Sequence, residues 1–252
     1  MTSAPAPRYT VLGVGISALT LARARDLIVA SRGASAGRYV CLATVHGIVE
    51  AGSDPGFMRI LNESWLTTAD GMPLVWLGPR TAERVYGPDL LLAVCDAGRS
   101  VGLRHFFYGG APGVADRLAD RLSTRFPGLQ VAGAVSPPYR ELEEGELAGL
   151  ADEVAASRAD VVWVGLGTPK QERFMAGPGK ALAPALLVGI GAAFDFHSGR
   201  KPQAPRWMQQ SGLEWLFRLG TEPLRLGPRY LRTNALFLLR LVARGRAGRP
   251  KA

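Results

Sequence analysis

Short apolar runs alternate with longer segments of helical periodicity through most of the chain, and this alternation constrains the fold more than any other feature. The predicted strands are Tyr9–Val14, Tyr39–Thr44, Trp65–Thr68, Arg104–Tyr108, Gln130–Val135, Asp160–Val164 and Ala185–Ile190. The predicted helices are Ala18–Ala30, Gly47–Leu61, Asp89–Ala97, Val114–Arg125, Glu144–Ala156 and Gln171–Ala176. Strand and helix in turn at this spacing predict an α/β fold with a doubly wound, mostly parallel sheet.

Glycines lie at or beside the ends of several predicted strands. They are Gly13, Gly109, Gly110, Gly165, Gly167, Gly189 and Gly191. The carboxyl ends of parallel strands border the crevice in which open α/β sheets bind ligands. Glycine lets backbone amide groups come close to phosphate oxygens. The pattern therefore predicts a nucleotide or phosphate site at this edge of the sheet.

An acidic residue, Asp70, follows the strand that contains Thr67 and Thr68. Gly71 comes next, and Pro73 fits the first turn of a further helix. Two interpretations stay open at this point. Asp70 either caps the following helix or delivers a carboxylate to the crevice.

The segment from Gly165 to Glu172 is a second candidate site, in which a buried strand runs into a glycine loop and then a helix. Lys170 at the helix start offers a cation to a diphosphate. Gln171 can donate and accept hydrogen bonds with a sugar or a base. The structural alternative is a capped turn with a solvated lysine, and we favour the binding role.

Two further charged residues allow both a functional and a structural interpretation. Asp195 could accept from a ribose or a base, or pair with Arg200 or Arg206. The guanidinium of Arg84 matches phosphate geometry, although most single arginines lie on the surface.

Residues Gly13 to Ala18 fit the dinucleotide pattern G-x-G-x-x-A after a strand. That pattern also requires an acidic residue about 20 positions further on. Between Leu27 and Gly47 there is none. An NAD(P)-dependent Rossmann oxidoreductase is therefore the alternative enzyme class, to be selected by NAD(P)H binding without UDP binding.

Cysteine and histidine spacing gives no sign of a disulfide framework or a metal site. Cys41 and Cys95 lie in apolar surroundings without a CxxC pair, which suits a reducing compartment. His46, His105 and His197 share no metal-ligand spacing, and His105 within a strand is predicted to be a core residue. No Asp-x-Asp pair, signal peptide or transmembrane segment is predicted, and the apolar fraction of 47% suits a sizeable core.

The positive charge is concentrated near the C-terminus. The whole chain carries +9 over 252 residues. From Arg218 onward, eight arginines and Lys251 oppose the single acid Glu222, so this segment carries +8 and the rest carries +1. Such asymmetry indicates an anionic partner surface, either a membrane or a nucleic acid.

The same segment has the pattern of a basic amphipathic helix. Arg229, Arg232, Arg240 and Arg244 fall within an arc of about 120° on a helical projection. Opposite them lie Tyr230, Leu231, Phe237, Leu238, Leu241 and Val242. We expect these arginines to face an anionic membrane, with no nucleic-acid partner. A surface helix docked on the core and a homo-oligomer contact remain the structural alternatives.

A series of motifs in one order resembles the WecG/TagA/CpsF-type glycosyltransferases over nearly the whole chain. The motifs are Thr44-Val45-His46, Ala69-Asp70-Gly71, Arg84-Val85-Tyr86-Gly87-Pro88-Asp89, Phe107-Tyr108-Gly109-Gly110, Ser136-Pro137-Pro138-Tyr139, Gly165 to Glu172, Gly189 to Phe196, Ala204 to Met208 and Gly212 to Arg218.

The resemblance implies a Rossmann-like catalytic core over residues 1–203 and a helical, membrane-associating appendage over residues 204–252. It implies an inverting, metal-independent enzyme that moves an N-acetylmannosamine-type sugar or another hexose from a UDP-sugar to a polyprenyl-diphosphate-linked acceptor. Such enzymes build cell-surface polymers at the cytoplasmic face of the bacterial membrane.

Residue by residue, the resemblance places the base at Asp70, an active-site threonine at Thr44, a phosphate-binding arginine at Arg84 and a glutamine at Gln171. Well-known members carry asparagine where this chain has His46, which could share the proton transfer. The donor-binding candidates are Gly109, Gly110, Tyr139, Gly167, Lys170, Gln171, Glu172 and Asp195.

Overall fold

The computed structural model describes residues 6–33 and 37–247. Its strands are β1 (Arg8–Val11), β2 (Val14–Ser17), β3 (Tyr39–Ala43), β4 (Leu66–Ala69), β5 (Arg104–Gly109), β6 (Gln130–Val135), β7 (Val161–Gly165) and β8 (Leu186–Gly189). Its α-helices are α1 (Leu21–Ala30), α2 (Val45–Ala51), α3 (Pro55–Glu63), α4 (Met72–Trp76), α5 (Gly87–Gly98), α6 (Val114–Arg125), α7 (Glu144–Ser157), α8 (Lys170–Ala176), α9 (Ala193–His197), α10 (Arg206–Gln210), α11 (Glu214–Thr221) and α12 (Pro223–Ala247). Short 3-10 helices occupy Arg99–Val101 and Pro178–Leu182.

Six strands form one parallel sheet in the order β4-β3-β8-β7-β5-β6. Helices connect successive strands, which is the only short way to join parallel neighbours. The predicted α/β class is confirmed. Because every strand of this sheet runs in the same direction, all the carboxyl ends lie at one edge.

The first predicted strand is wrong. Instead of one strand over Tyr9–Val14, β1 and β2 form an antiparallel hairpin outside the main sheet. Leu12 and Gly13 both have positive φ, at 49° and 96°. Two positive φ values give the tight turn whose twist suits a hairpin. The glycine therefore serves a hairpin turn and not a strand-to-helix turn.

One predicted helix is divided in two. The interval Gly47–Leu61 contains α2 and α3, which are separated at Gly52 to Asp54. The Asp54 side chain accepts from the Phe57 amide at 3.0 Å and caps α3. A capped start followed by Pro55 explains why a new helix begins here.

Apolar side chains on alternate positions of the strands build two cores, one on each face of the sheet. Val40 and Leu42 of β3 face the core shared with α1, α5, α6 and α9. Cys41 faces the opposite core, which is shared with α2, α3, α7, α8 and α12. Cys95 lies in the first core, so the two buried thiols are on opposite faces of the sheet, and both are free.

The long helix α12 rests on the core through one side. Leu226 and Phe237 are buried, and Leu236 and Leu241 pack against the second core. The surface that α12 contacts is formed mainly by α2 and α11. No helix within the described residues is long and apolar enough to cross a membrane.

Candidate active site

Thr44, Asp70 and Arg84 lie together where β3 and β4 end, and the segment from Gly167 to Glu172 follows β7 at the same edge of the sheet. The Asp70 amide donates to the Ala43 carbonyl at 2.9 Å, which ties the end of β4 to the end of β3. The Val85 amide donates to the Ala69 carbonyl at 2.8 Å and brings Arg84 to the same place. These contacts bring three segments that are distant in the sequence to one place.

Asp70 does not cap the helix that follows it. The N-cap position of α4 is Gly71, which has no side-chain cap bond. Asp70 Oδ1 is buried and has no hydrogen-bond partner among the described residues. Burial raises the pKa of Asp70 to about 7, and the Glu214 carboxylate contributes in the same direction against the opposing effect of Arg84. A carboxyl with this pKa can exchange a proton near neutral pH.

Arg84 lies beside Asp70, but its guanidinium is directed at protein acceptors. Nε donates to the Asp70 carbonyl at 2.5 Å and Nη1 donates to the Gln209 carbonyl at 3.1 Å. Nη2 donates to Glu214 Oε2 at 2.6 Å. The guanidinium also lies 4.0 Å from the centre of the Tyr86 ring. In this structure Arg84 joins the C-terminal appendage to the end of β4.

Glu214, Gln209 and Tyr86 are site residues that the sequence analysis missed. Glu214 Oε1 accepts from the Tyr86 hydroxyl at 2.9 Å, and Gln203 Nε2 donates to that hydroxyl at 3.4 Å. Tyr86 and Glu214 lie in motifs that carry the family resemblance. Glu214 is also an acidic residue just before a strongly basic segment, and this sequence feature could have indicated that it pairs with a charged residue of the core.

Thr44 and His46 lie at the start of α2. The Thr44 hydroxyl accepts from the Gly47 amide at 3.1 Å and caps the helix. Thr44 therefore has a structural role beside any role in the reaction. His46 Nδ1 lies 3.9 Å from Glu50 Oε1, one helical turn further on.

The loop between β7 and α8 has the open glycine backbone that the sequence predicts. Gly167 has a φ of 77° with open space where a side chain would start. Lys170 is exposed and begins α8. Its Nζ lies 5.4 Å from the centre of the Tyr139 ring, and Tyr139 is fully exposed. Both side chains are thus accessible to a ligand at this edge.

Gln171 and Glu172 are buried beneath this loop. Glu172 Oε1 accepts from the Thr168 hydroxyl at 2.8 Å and from Gln171 Nε2 at 3.0 Å. Burial raises the pKa of Glu172. Gln171 Oε1 has no hydrogen-bond partner among the described residues and lies beside Gly191. Glu172 is placed to support Thr168 and Gln171 from below, because its own side chain is almost completely enclosed.

Close packing accounts for Gly109, against the neighbouring strand, and for Gly110, against the Val114 side chain of α6. A Cβ on Gly109 would lie 2.6 Å from the backbone of Gly165. The Gly110 amide donates to the Gly165 carbonyl at 3.1 Å. That amide is therefore occupied, and the expected phosphate contact has no free donor at Gly110.

Asp195 and His105 have structural partners. Asp195 Oδ1 accepts from Arg200 Nη1 at 3.1 Å, and Asp195 Oδ2 lies 3.6 Å from Lys201 Nζ. The pairing with Arg200 was one of the two predicted alternatives. His105 Nδ1 accepts from Trp163 Nε1 at 3.0 Å within the core, where burial lowers the pKa of His105 to about 4. The prediction that His105 is a core residue is confirmed.

Helices α10 and α11 lie over the site. A Cβ on Gly212 would be 3.1 Å from the Trp76 ring, so the turn before α11 contacts α4. The Arg218 guanidinium lies 6.0 Å from the centre of the Phe196 ring. Lys201 Nζ donates to both carboxylate oxygens of Glu222 at 3.0 Å.

Comparison with known proteins identifies the family. The sequence profile described as "Glycosyl transferase WecG/TagA/CpsF family" matches residues 9–251. The chain belongs to the WecG/TagA/CpsF family of glycosyltransferases. It is an enzyme, and the predicted resemblance is confirmed.

Two relatives of this glycosyltransferase carry the same name, N-acetylglucosaminyldiphosphoundecaprenol N-acetyl-beta-D-mannosaminyltransferase. The protein from Bacillus spizizenii (strain ATCC 23059 / NRRL B-14472 / W23) is 32% identical over 193 residues, which cover 75% of this chain and 73% of the relative. The protein from Bacillus subtilis (strain 168) is 28% identical over 176 residues, which cover 68% of this chain and 67% of the relative.

The dinucleotide fingerprint has the wrong structural context in this glycosyltransferase. A dinucleotide site needs G-x-G-x-x-A between a strand and a helix. Here Gly13 lies in the hairpin turn, and Gly15 lies within β2. The glycines therefore cannot form the turn that receives a pyrophosphate, and the sequence basis for the oxidoreductase alternative is lost.

Proposed function

We propose that this glycosyltransferase inverts the anomeric centre, needs no metal and uses a UDP-sugar donor. The proposed acceptor is a sugar linked to a polyprenyl diphosphate. The names of the two relatives favour N-acetylmannosamine as the transferred sugar and an N-acetylglucosaminyl-diphosphate lipid as the acceptor. The observation that carries the proposal is Asp70, a carboxyl with a pKa of about 7 at the carboxyl edge of the sheet.

Asp70 is the proposed general base. Its carboxylate takes the proton from an acceptor hydroxyl while that oxygen forms a bond to the anomeric carbon. The bond from this carbon to the UDP oxygen breaks, and its electron pair leaves with UDP. Attack from the face opposite UDP inverts the configuration.

The leaving diphosphate needs compensation of its negative charge. Lys170 and the amides of the loop around Gly167 are the proposed partners, since both are accessible at the edge of the site. Arg218 of α11 is close enough to Asp70 for its positive charge to lower the pKa of that carboxyl. Arg84 would bind the diphosphate only if it released its hydrogen bond to Glu214.

The proposed membrane contact differs from the prediction at Arg240. Arg240 Nη1 donates to the Val49 carbonyl at 2.6 Å and Nη2 donates to the Ser53 hydroxyl at 2.8 Å. Its guanidinium thus binds the C-terminal end of α2 and is not free to face a membrane. The side chains of Arg229 and Arg244 lie outside the described residues, whereas Arg232 is exposed.

The apolar surface of the appendage supports membrane association better than the predicted arginine arc. Leu224, Leu231, Leu238, Leu239 and Val242 are exposed along one side of α12, and we call them the α12 stripe. Trp76, Trp207 and Trp215 are exposed on α4, α10 and α11 beside the site. Aromatic and aliphatic side chains of this kind favour a membrane interface. We propose a peripheral position at the cytoplasmic face of the membrane, with homo-oligomer contacts as the other use of the same stripe.

The proposed reaction is tested by sugar transfer from a panel of UDP-sugars to a short-chain polyprenyl-diphosphate-sugar, with EDTA present. The native chain is compared with Asp70→Asn. We expect the native chain to form product and the Asn variant to lose at least about 100-fold in turnover with donor binding retained, as for a lost general base.

The matched control is Asp26→Asn, which removes an exposed carboxylate of α1 that pairs with Arg25. It should turn over like the native chain. Normal turnover by Asp70→Asn would disprove the base assignment, whereas a native reaction abolished by EDTA would disprove metal independence.

A further inference from the structure

The carboxylate of Glu214 lies at the junction between the appendage and the candidate base. It is buried and accepts two hydrogen bonds from the core, from Arg84 Nη2 at 2.6 Å and from the Tyr86 hydroxyl at 2.9 Å. Glu214 is separated from Arg84 by 130 positions in the sequence. A buried carboxylate needs such partners, and here they come from the loop that also borders Asp70.

Arg84 is bound to the backbone carbonyl of Asp70 through Nε, but its Nη2 group does not pair with the Asp70 carboxylate. Its Nη2 lies 3.9 Å from Asp70 Oδ1, compared with 2.6 Å from Glu214 Oε2. A guanidinium beside a carboxylate normally forms short, charge-assisted hydrogen bonds. Asp70 Oδ1 receives none from the described residues, and Arg84 Nη2 is directed at Glu214 instead.

We propose that Glu214 is a positioning residue that holds the Nη2 group of Arg84 away from the Asp70 carboxylate, so that the base keeps an unpaired oxygen for the acceptor proton. The inference rests on the proposed function for its catalytic consequence. Its structural part, the competition between two carboxylates for one guanidinium, is independent of the reaction.

The charges around Asp70 indicate the direction in which its pKa should change when Glu214 is replaced. Arg84 from the preceding loop and Arg218 from α11 lower the pKa of Asp70, as does the Gly87 amide. Burial and the Glu214 carboxylate raise it. Replacing Glu214 with Gln removes one negative charge and weakens the hold on Arg84 Nη2, which can then turn toward the Asp70 carboxylate. Both changes should make Asp70 easier to ionise.

The test is an NMR titration of the Asp70 carboxyl carbon in isotope-labelled full-length protein, with its signal assigned by loss in Asp70→Asn. In Glu214→Gln we expect the Asp70 midpoint to fall by about one pH unit, the usual size of a nearby charge effect. Tyr86→Phe removes a hydrogen bond to Glu214 and keeps its charge, so its midpoint should shift much less.

The matched control is Glu222→Gln, which removes an appendage carboxylate that pairs with Lys201 instead of Arg84. It should leave the Asp70 midpoint unchanged. Hydrogen exchange of Glu214–Thr221 monitors docking of α11 in every variant. An unchanged midpoint in Glu214→Gln, an equal shift in Tyr86→Phe, or loss of α11 protection in the Gln variant would each overturn the proposal.

Turnover separates this inference from the proposed function. If both hold, Glu214→Gln should lose about tenfold in turnover with the apparent donor affinity nearly unchanged, and the acid limb of its pH profile should move with the NMR midpoint. If Asp70→Asn turns over normally while Glu214→Gln still lowers the Asp70 midpoint, the base assignment fails and the role of Glu214 stands.

Discussion

Asp70 illustrates at the scale of one residue how burial of a carboxyl group, here the proposed base, can oppose stability. Its side chain is 20% exposed, and its pKa rises from 3.8 to about 7. The folded state therefore binds a proton that the unfolded state has already released between these two pH values. The stability that Asp70 contributes as a neutral acid is lost as pH rises from 3.8 to about 7.

Asp70→Asn should consequently stabilise the fold at neutral and alkaline pH. We expect a gain of up to about 4 kcal/mol in the free energy of unfolding above pH 7, decreasing toward zero near pH 4. Urea unfolding at a series of pH values measures it. Asp26→Asn should change stability by less than about 0.5 kcal/mol throughout. A pH-independent difference for Asp70→Asn would contradict the raised pKa.

Gly165 shows that a strand-end glycine can be required by packing. A Cβ at this position would lie 2.4 Å from the Phe194 ring, which is itself buried. Gly165→Ala should therefore destabilise the protein by about 1–3 kcal/mol, as overpacked cores do. Gly149→Ala is the matched control in α7, where nothing lies within 4 Å of the added carbon. It should be neutral or stabilise by up to about 1 kcal/mol. Chemical unfolding of both variants measures these changes in the free energy of unfolding.

At the scale of elements, α12 has two apolar sides, of which one is buried against the core and the other is exposed. Phe237 is 4% exposed against the core, whereas its neighbour Leu238 is 61% exposed. The buried side and the hydrogen bonds of Arg240 hold the helix on α2. The structural alternative of a docked surface helix is therefore correct for one side, and the α12 stripe on the other side is exposed.

This adjacent pair gives a direct test of the division. Phe237→Ala should destabilise the docked helix by about 3–5 kcal/mol through loss of buried area and cavity formation. Leu238→Ala should change stability by less than about 0.5 kcal/mol, because its side chain already contacts solvent. Protease sensitivity of α12 together with urea unfolding measures both effects. Similar costs for the two variants would show that the helix docks in a different rotation.

At the scale of the whole molecule, positive charge and exposed apolar area lie in the same C-terminal segment, which carries +8. Charge alone suits either a nucleic acid or an anionic membrane. The α12 stripe adds a contribution that salt does not screen, because burial of apolar side chains in lipid does not depend on ionic strength.

We therefore expect binding to anionic vesicles that weakens with salt without disappearing, whereas binding to duplex DNA should be weak and lost steeply as salt increases. Leu231→Ser combined with Leu238→Ser should abolish the salt-resistant part, measured by vesicle co-sedimentation. Val131→Ser, an exposed apolar position on β6, is the control and should bind like the native chain. Tight DNA binding with no vesicle binding would reverse the assignment of the partner.

The sequence by itself determined the strands of the main sheet, most helices and the edge at which Thr44, Asp70 and Gln171 meet. These features follow from local periodicity and from the rule that parallel strands end on the same side. The tertiary structure alone decided that Gly13 lies in a hairpin turn, that Arg240 donates a hydrogen bond to α2, and that Glu214 accepts a hydrogen bond from Arg84. Each of these depends on contacts between distant segments or on backbone dihedrals, and neither is encoded in the spacing of apolar residues along the chain.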